Sequence, residues 1–245
     1  MAFWDKVLHL QDKTRPFCTA IVPAAGSSQR MGGGNKLFME LCGVPVLVRT
    51  LQAIDRAELV DEIIVAARED LLQEVAELCK QAGLHKRVRV VCGGDSRTAS
   101  VQAAALEADP KAKLLAVHDG ARPLVDPAIF DGVIRAACRT YAAAPALAVT
   151  DTIKVVSDEG YVTETPDRSH LYAVQTPQVF RAEVLRAALQ AVLEQGGSVT
   201  DDCAAVEQLG KKVYLVPGQP DNIKITTPLD LTVAEAILRQ REETV

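Results

Sequence analysis

Short apolar runs alternate with amphipathic segments along the first part of the chain, and this alternation limits the possible folds most strongly. Cys18 to Val22, Glu62 to Ala67, Val88 to Val91 and Leu114 to His118 read as strands, with a short Phe38 to Leu41 strand turned at Gly43. Between them, Pro45 opens a helix with Leu47, Leu51 and Ile54 on one face, and Asp70 to Gln81 is a second helix, stopped at Gly83. An alanine-rich helix ends near Glu107, and Asp126-Pro127 caps one bearing Ile129, Phe130, Val133 and Ile134. Strands that are apolar throughout have to be covered on both faces, so the pattern predicts an α/β fold with a mostly parallel sheet between two helical layers. Ligands of such sheets bind at the edge where the strands end, which places the loops after Val22, Val91 and His118 along one crevice.

The first of these loops is chemically distinctive. Ile21 to Lys36, IVPAAGSSQRMGGGNK, is a strand end followed by small residues and two cations, Arg30 and Lys36. Small residues let main-chain N–H groups approach an anion, and two fixed cations would neutralise a polyphosphate. A solvated Gly/Ser loop is the other reading of the same composition. The stretch contains neither the P-loop pattern nor the dinucleotide-binding G-x-G-x-x-G.

At 245 residues with a net charge of −5, the chain can bury a core of its own and lacks the basic balance that a nucleic-acid or anionic-membrane partner requires. Its six cysteines are scattered and never spaced C-x-x-C, which reads as reduced, small core residues of a cytoplasmic protein. Residues 1–17 mix charges with single apolar residues and read as an extension of unknown role, neither signal peptide nor anchor. No apolar run approaches the roughly 18–20 residues of a membrane span.

After Ala142 the pattern changes. Ala146 to Val156 and Tyr161 to Thr165 flank a Ser157-Asp158-Glu159-Gly160 turn, which predicts a projecting β-hairpin arm over residues 146–170. Alternation then resumes with a Val174 to Val179 strand, a helix from Ala182 to Gln195, one from Asp201 to Gly210, strands at Val213 to Val216 and Asn222 to Thr226, and a last helix capped by Thr227-Pro228. No linker separates two units, so residues 18–245 read as a single domain carrying the arm.

Five motifs in order carry a family resemblance. They are the PAAG…RM…K loop; Gly93-Gly94-Asp95-Ser96-Arg97 with Ser100; His118-Asp119-Gly120-Ala121-Arg122-Pro123; Asp167-Arg168 before Gln175-Thr176-Pro177-Gln178; and Thr200-Asp201-Asp202 with Asp221-Asn222-Ile223-Lys224. Together they resemble the CTP-using sugar-phosphate nucleotidyltransferases, most closely the 2-C-methyl-D-erythritol 4-phosphate cytidylyltransferases of the non-mevalonate isoprenoid pathway. The resemblance implies a Rossmann-like, GT-A-like domain that joins CTP to methylerythritol phosphate with a divalent metal, Mg²⁺. It implies a homodimer through the hairpin arm.

By the same resemblance, Pro23, Ala24, Ala25, Gly26, Gly94, Asp95 and Ser100 would bind CTP. Arg30 and Lys36 would stabilise charge on the α-phosphate, and Arg168, acting across the dimer, would grip the acceptor's phosphate together with Lys224. Asp119, Arg122, Thr152, Thr176 and Thr200 would hydrogen-bond the acceptor, with Asp119 and Asp221 as metal candidates. Read without the resemblance, Arg168 is a surface arginine, Asp201 and Asp202 are acids favoured at a helix N-terminus, and His118 is a structural histidine pointing away from Asp119. Three features depart from the family pattern: Ser28 replaces a glycine, Asn35 stands where proline is common, and Gly32-Gly33-Gly34 is unusual. A pentitol-phosphate cytidylyltransferase and a non-catalytic nucleotide-sensing module are the competing readings.

Overall fold

The computed structural model describes residues 15–26, 35–197 and 199–243. Its elements are β1 (Phe17–Pro23), β2 (Glu40–Leu41), β3 (Val44–Pro45), α1 (Val46–Asp55), β4 (Glu62–Ala67), α2 (Leu72–Gln81), β5 (Arg87–Cys92), α3 (Arg97–Glu107), β6 (Ala112–Val117) and α4 (Pro127–Thr140). There follow β7 (Ala142–Ala148), β8 (Val155–Val156), β9 (Val162–Glu164), β10 (Tyr172–Val174), β11 (Gln178–Arg181), α5 (Ala182–Glu194), α6 (Asp202–Gln208), β12 (Tyr214–Pro217) and α7 (Pro228–Glu243).

Eight strands form one sheet in the order β10-β7-β11-β6-β1-β4-β5, with β12 beside β7. β1 is parallel to β4 and β6, β4 to β5, and β7 to β12, while β10 and β11 run antiparallel to their neighbours. The sheet is thus mostly parallel, with two reversed strands in its second half.

Side-chain alternation divides the core into two layers. Cys18, Ala20 and Val22 of β1, Ile63 and Val65 of β4, and Leu114 and Ala116 of β6 pack on one face with α1, α4 and α7. Ile21, Ile64, Leu115 and Val117 face the other way, against α3, α5 and α6. The strand–helix reading of the sequence therefore corresponds to two buried layers. The Asp126 cap is present: its carboxylate accepts from Ala128 N at 2.8 Å, with proline in the first turn.

Several segments differ from the sequence expectation. The strand expected from Ala146 begins at Ala142 and ends at Ala148, and the hairpin is confined to β8 and β9 around Gly160 at φ +87°. The run Val174 to Val179 is two strands, because Pro177, after a cis peptide bond, has no N–H for the ladder. Only Glu40 and Leu41 of the Phe38 to Leu41 run are strand, and a 3₁₀ turn at Glu69–Leu71 precedes α2. Asn222 to Thr226 is not a strand. Its backbone donors are spent locally and on the loop after β6, with Ile225 N reaching Ala121 O at 2.8 Å. Of the cysteines, Cys18 and Cys203 are buried, but Cys42 and Cys92 are exposed, so the expectation of core residues fails for those two.

Candidate active site

The loops after β1, β5 and β6 converge as the parallel edge requires. Ala24 N donates to Ala66 O and Gly93 N to Ala67 O, both at 2.7 Å, which fastens two loops to the end of β4; His118 N donates to Ile21 O at 2.9 Å. Between the loops lies a cleft of about 360 Å³. Pro23, Ala25, Gly26, Lys36, Gly94, Asp95, Ser100, Asp119 and Lys224 of the sequence-predicted set line it, together with Arg97.

The β5 turn is shaped by close packing. A Cβ on Gly94 would stand 2.5 Å from the Cβ of Ala99, and one on Gly93 would stand 2.8 Å from Ser100 Oγ, so the turn can pass this close to α3 only without side chains. Ser100 Oγ donates to Ser96 O at 2.8 Å and accepts from Gly94 N at 3.1 Å, while Ser96 caps α3 through Ala99 N. Ser100 thus works as a clamp on the turn.

Lys36 is presented by a side-chain turn. Asn35 Oδ1 accepts from Leu37 N at 3.1 Å and Asn35 O from Phe38 N at 3.0 Å. An asparagine can close such a turn through its own carboxamide, which accounts for Asn35 ahead of Lys36. Arg30, the second cation expected here, lies outside the described residues.

Asp119 is the electrostatic centre. Its Oδ2 lies 2.9 Å from Lys224 Nζ and 3.7 Å from Arg122 Nε, and its Oδ1 lies 3.5 Å from Arg97 Nη2. Burial pushes the carboxyl upward, but Lys224, then Arg97 and Arg122, outweigh it and hold the group well below the usual carboxylate range. Arg122 is itself anchored, donating from Nη1 to Asn222 O at 2.6 Å. Asn222 is buried and donates to Thr176 O at 2.8 Å.

His118 is structural, as its alternation predicted. Its Nε2 lies 3.1 Å from Arg122 O, an acceptor only, so Nε2 carries the proton and Nδ1 accepts from Thr176 Oγ1 at 3.0 Å. Thr176 Oγ1 in turn accepts from Asp119 N at 3.1 Å. Burial lowers the imidazole to about 4 from its ordinary 6.5. A depressed histidine favours folding fully above pH 6.5, and this contribution is lost as the pH falls through 4; the shift corresponds to about 3 kcal/mol. Urea midpoints measured from pH 7 to pH 4 are therefore expected to fall more steeply in the parent than in His118→Gln, whose carboxamide can still donate to Arg122 O. Parallel slopes would contradict the assignment.

Other expected residues lie away from the cleft lining. Arg168 is exposed on a short 3₁₀ turn, donating to Thr150 O at 2.7 Å. Thr152 and Thr200 are exposed, and Thr176 is buried with its hydroxyl proton committed to His118. Asp221 pairs with Arg241 at 3.3 Å. Asp201 is the cap of α6, accepting from Ala204 N at 2.9 Å, as its helix-end reading predicted. Asp202 lies in the first turn of α6, as that reading predicted, and its carboxylate in addition meets Arg97 at 2.7 Å in full burial. Among the described residues no group of three or more His, Cys, Asp or Glu side chains is placed to hold a metal ion.

A family model described as 2-C-methyl-D-erythritol 4-phosphate cytidylyltransferase matches residues 18–240. The chain belongs to this family. The protein of that name from Symbiobacterium thermophilum is 44% identical over 223 residues, which cover 91% of this chain and 93% of the relative. The cytidylyltransferase of Synechocystis is 40% identical, covering 90% of this chain and 96% of the relative. The crystal structure of the 4-diphosphocytidyl-2C-methyl-D-erythritol synthase of Anaerococcus prevotii superposes with a TM-score of 0.81 at 34% identity, covering 91% of this chain and 96% of that one. The cleft sets a glycine turn beside clustered cations, a lining suited to anions.

Proposed function

We infer that the cleft carries out the activity of its family. A cytidylyl group passes from CTP to 2-C-methyl-D-erythritol 4-phosphate, giving 4-diphosphocytidyl-2-C-methyl-D-erythritol and pyrophosphate in isoprenoid biosynthesis. The observation that carries the site assignment is that Gly94, Lys36 and the Lys224–Asp119 pair, far apart in sequence, face one cleft at the strand ends. In this reading Pro23, Ala24, Ala25 and Gly26 meet the nucleotide through their backbone, and Gly94, Asp95 and Ser100 border the cytosine. A phosphate oxygen of the acceptor forms a bond to the α-phosphorus while the bond to the leaving pyrophosphate breaks. The nucleophile is already an anion, so the work is positioning and charge neutralisation rather than proton removal. Lys36 and Arg30 counter charge at the α-phosphate. Lys224 and, from a second subunit, Arg168 hold the acceptor's phosphate, while Asp119, Arg122, Thr152, Thr176 and Thr200 serve the acceptor.

Mg²⁺ fits this donor set as an ion carried on the nucleotide's phosphates, since it accepts few carboxylates and keeps its waters. Asp119 is the residue that would touch it, and the ion would supply charge neutralisation; Asp221, paired with Arg241, is the weaker candidate.

Homodimerisation is supported by the arm's exposed apolar residues, which include Tyr161 at 76%, Val162 at 57% and Val156 at 56% exposure. We read residues 18–245 as one domain with this arm, placed in the cytoplasm with its cysteines reduced. Among the described residues no helix is long and apolar enough to cross a membrane.

Pyrophosphate release by the purified chain with CTP and Mg²⁺ tests the assignment. Turnover is expected with methylerythritol 4-phosphate and not with ribitol 5-phosphate at equal concentration. Turnover of ribitol 5-phosphate alone would transfer the protein to pentitol-phosphate metabolism.

A further inference from the structure

We propose that Arg97 and Asp202 form a positioning pair that sets the orientation of the Asp119 carboxylate toward the acceptor. The inference rests on the reading of Asp119 as an acceptor-binding residue. Arg97 opens α3 and Asp202 opens α6, and the two meet 105 residues apart in sequence, with Arg97 Nη2 donating to Asp202 Oδ2 at 2.7 Å. The same nitrogen lies 3.5 Å from Asp119 Oδ1. Lys224 and Arg122 both approach the other oxygen, Oδ2. Arg97 thus approaches the oxygen opposite the one to which Lys224 and Arg122 come closest, and its contact opposes rotation of the carboxylate about its last bond.

Helix stability favours an acid such as Asp202 in the first turn of α6 but does not explain Arg97 at the start of α3. An arginine in the first turn of a helix opposes the macrodipole, which favours acids there. Asp202 is completely buried, and its Oδ1 has no hydrogen-bond partner. A buried pair of this kind returns little stability against its desolvation, so its presence calls for another use. The start of α6 is fastened to the sheet by Gln178, whose Oε1 accepts from Asp202 N at 3.0 Å and Cys203 N at 3.1 Å and whose Nε2 donates to Asp201 Oδ2 at 2.8 Å. The chain of support runs from β11 through α6 and Arg97 to the cleft.

The test is steady-state kinetics on Arg97→Lys, Asp202→Asn, Asp119→Asn and the Arg97→Lys/Asp119→Asn double variant, with thermal melts alongside. Lysine keeps the charge but carries it on a flexible stem without the rigid guanidinium plane that holds Nη2 between the two carboxylates. We expect Arg97→Lys and Asp202→Asn each to raise the KM for methylerythritol phosphate about 10- to 100-fold. The KM for CTP should stay within about twofold, and the double variant should be no worse than Asp119→Asn. Loss of kcat at unchanged KM would show that the pair does not act on acceptor binding and would overturn the proposal, as would additive losses in the double variant. If Asp119→Asn is crippled while both pair variants keep the parental KM, only the positioning pair falls. If Asp119→Asn is itself unaffected, the reading of Asp119 falls and the pair with it.

Discussion

The Lys36→Ala protein is expected to turn over about 10²–10³ times more slowly than the parent, at an unchanged fold. Lys36 lines the cleft from a turn closed by Asn35, outside any strand or helix, and the turn's bonds are made by the carboxamide and backbone of Asn35, so truncating the lysine removes none of them. What is lost is a fixed cation beside developing negative charge, and such a donor is typically worth about 2.7–4 kcal/mol. Because this charge appears only as the bond to the leaving group lengthens, the loss should fall on kcat more than on either KM. Pyrophosphate release under saturating substrates, with circular dichroism as the folding control, measures it. Activity within a few-fold of the parent would remove Lys36 from the mechanism.

The second large effect concerns Arg168. Alone, Arg168→Ala should be nearly inactive, as should Lys36→Ala. Mixed in equal parts and allowed to exchange subunits, the two should recover about a quarter of parental activity. Random reassortment makes about half of the dimers mixed, and each mixed dimer has one site with both residues intact if Arg168 serves its partner's cleft. The structure motivates the experiment: Arg168 is exposed and outside the cleft lining of its own chain, on an arm whose apolar residues face solvent. Failure to recover, with exchange demonstrated by mass-tagged subunits, would place Arg168 in its own subunit's site or outside catalysis.

The sheet and its helices were legible because apolar strands ending in small-residue turns leave few alternatives, and the residues from β1 to α4 follow that logic closely. Legibility declined where hydrogen bonding leaves the regular ladder. Asn222 to Ile225 has the composition of a strand, yet its donors go to Gln219 O, Asp221 O and Ala121 O. The glycine turn, Lys36, Asp119 and Lys224, which line one cleft, could be picked out because each motif is local. Arg97 and Asp202 were missed as partners for the opposite reason. A buried aspartate needs a cation, but nothing near Asp202 in sequence says which of the chain's arginines the fold brings to it. His118 was readable from strand alternation alone, whereas its link through Thr176 depends on the return of β11 beside β6.

The charges around the cleft are segregated from those of the molecule as a whole. Lys36, Arg97, Arg122 and Lys224 outnumber Asp95, Asp119 and Asp202, while the whole chain is acidic at −5. At physiological salt a charge is felt over about 8 Å, so the cationic interior is sensed only at the mouth and the acidic exterior meets everything else. Such a distribution of charge is expected to sieve polyanions. A short triphosphate can pass the rim and exchange water for fixed cations, whereas a long nucleic-acid strand has to lie across repelling surface before any of it reaches them.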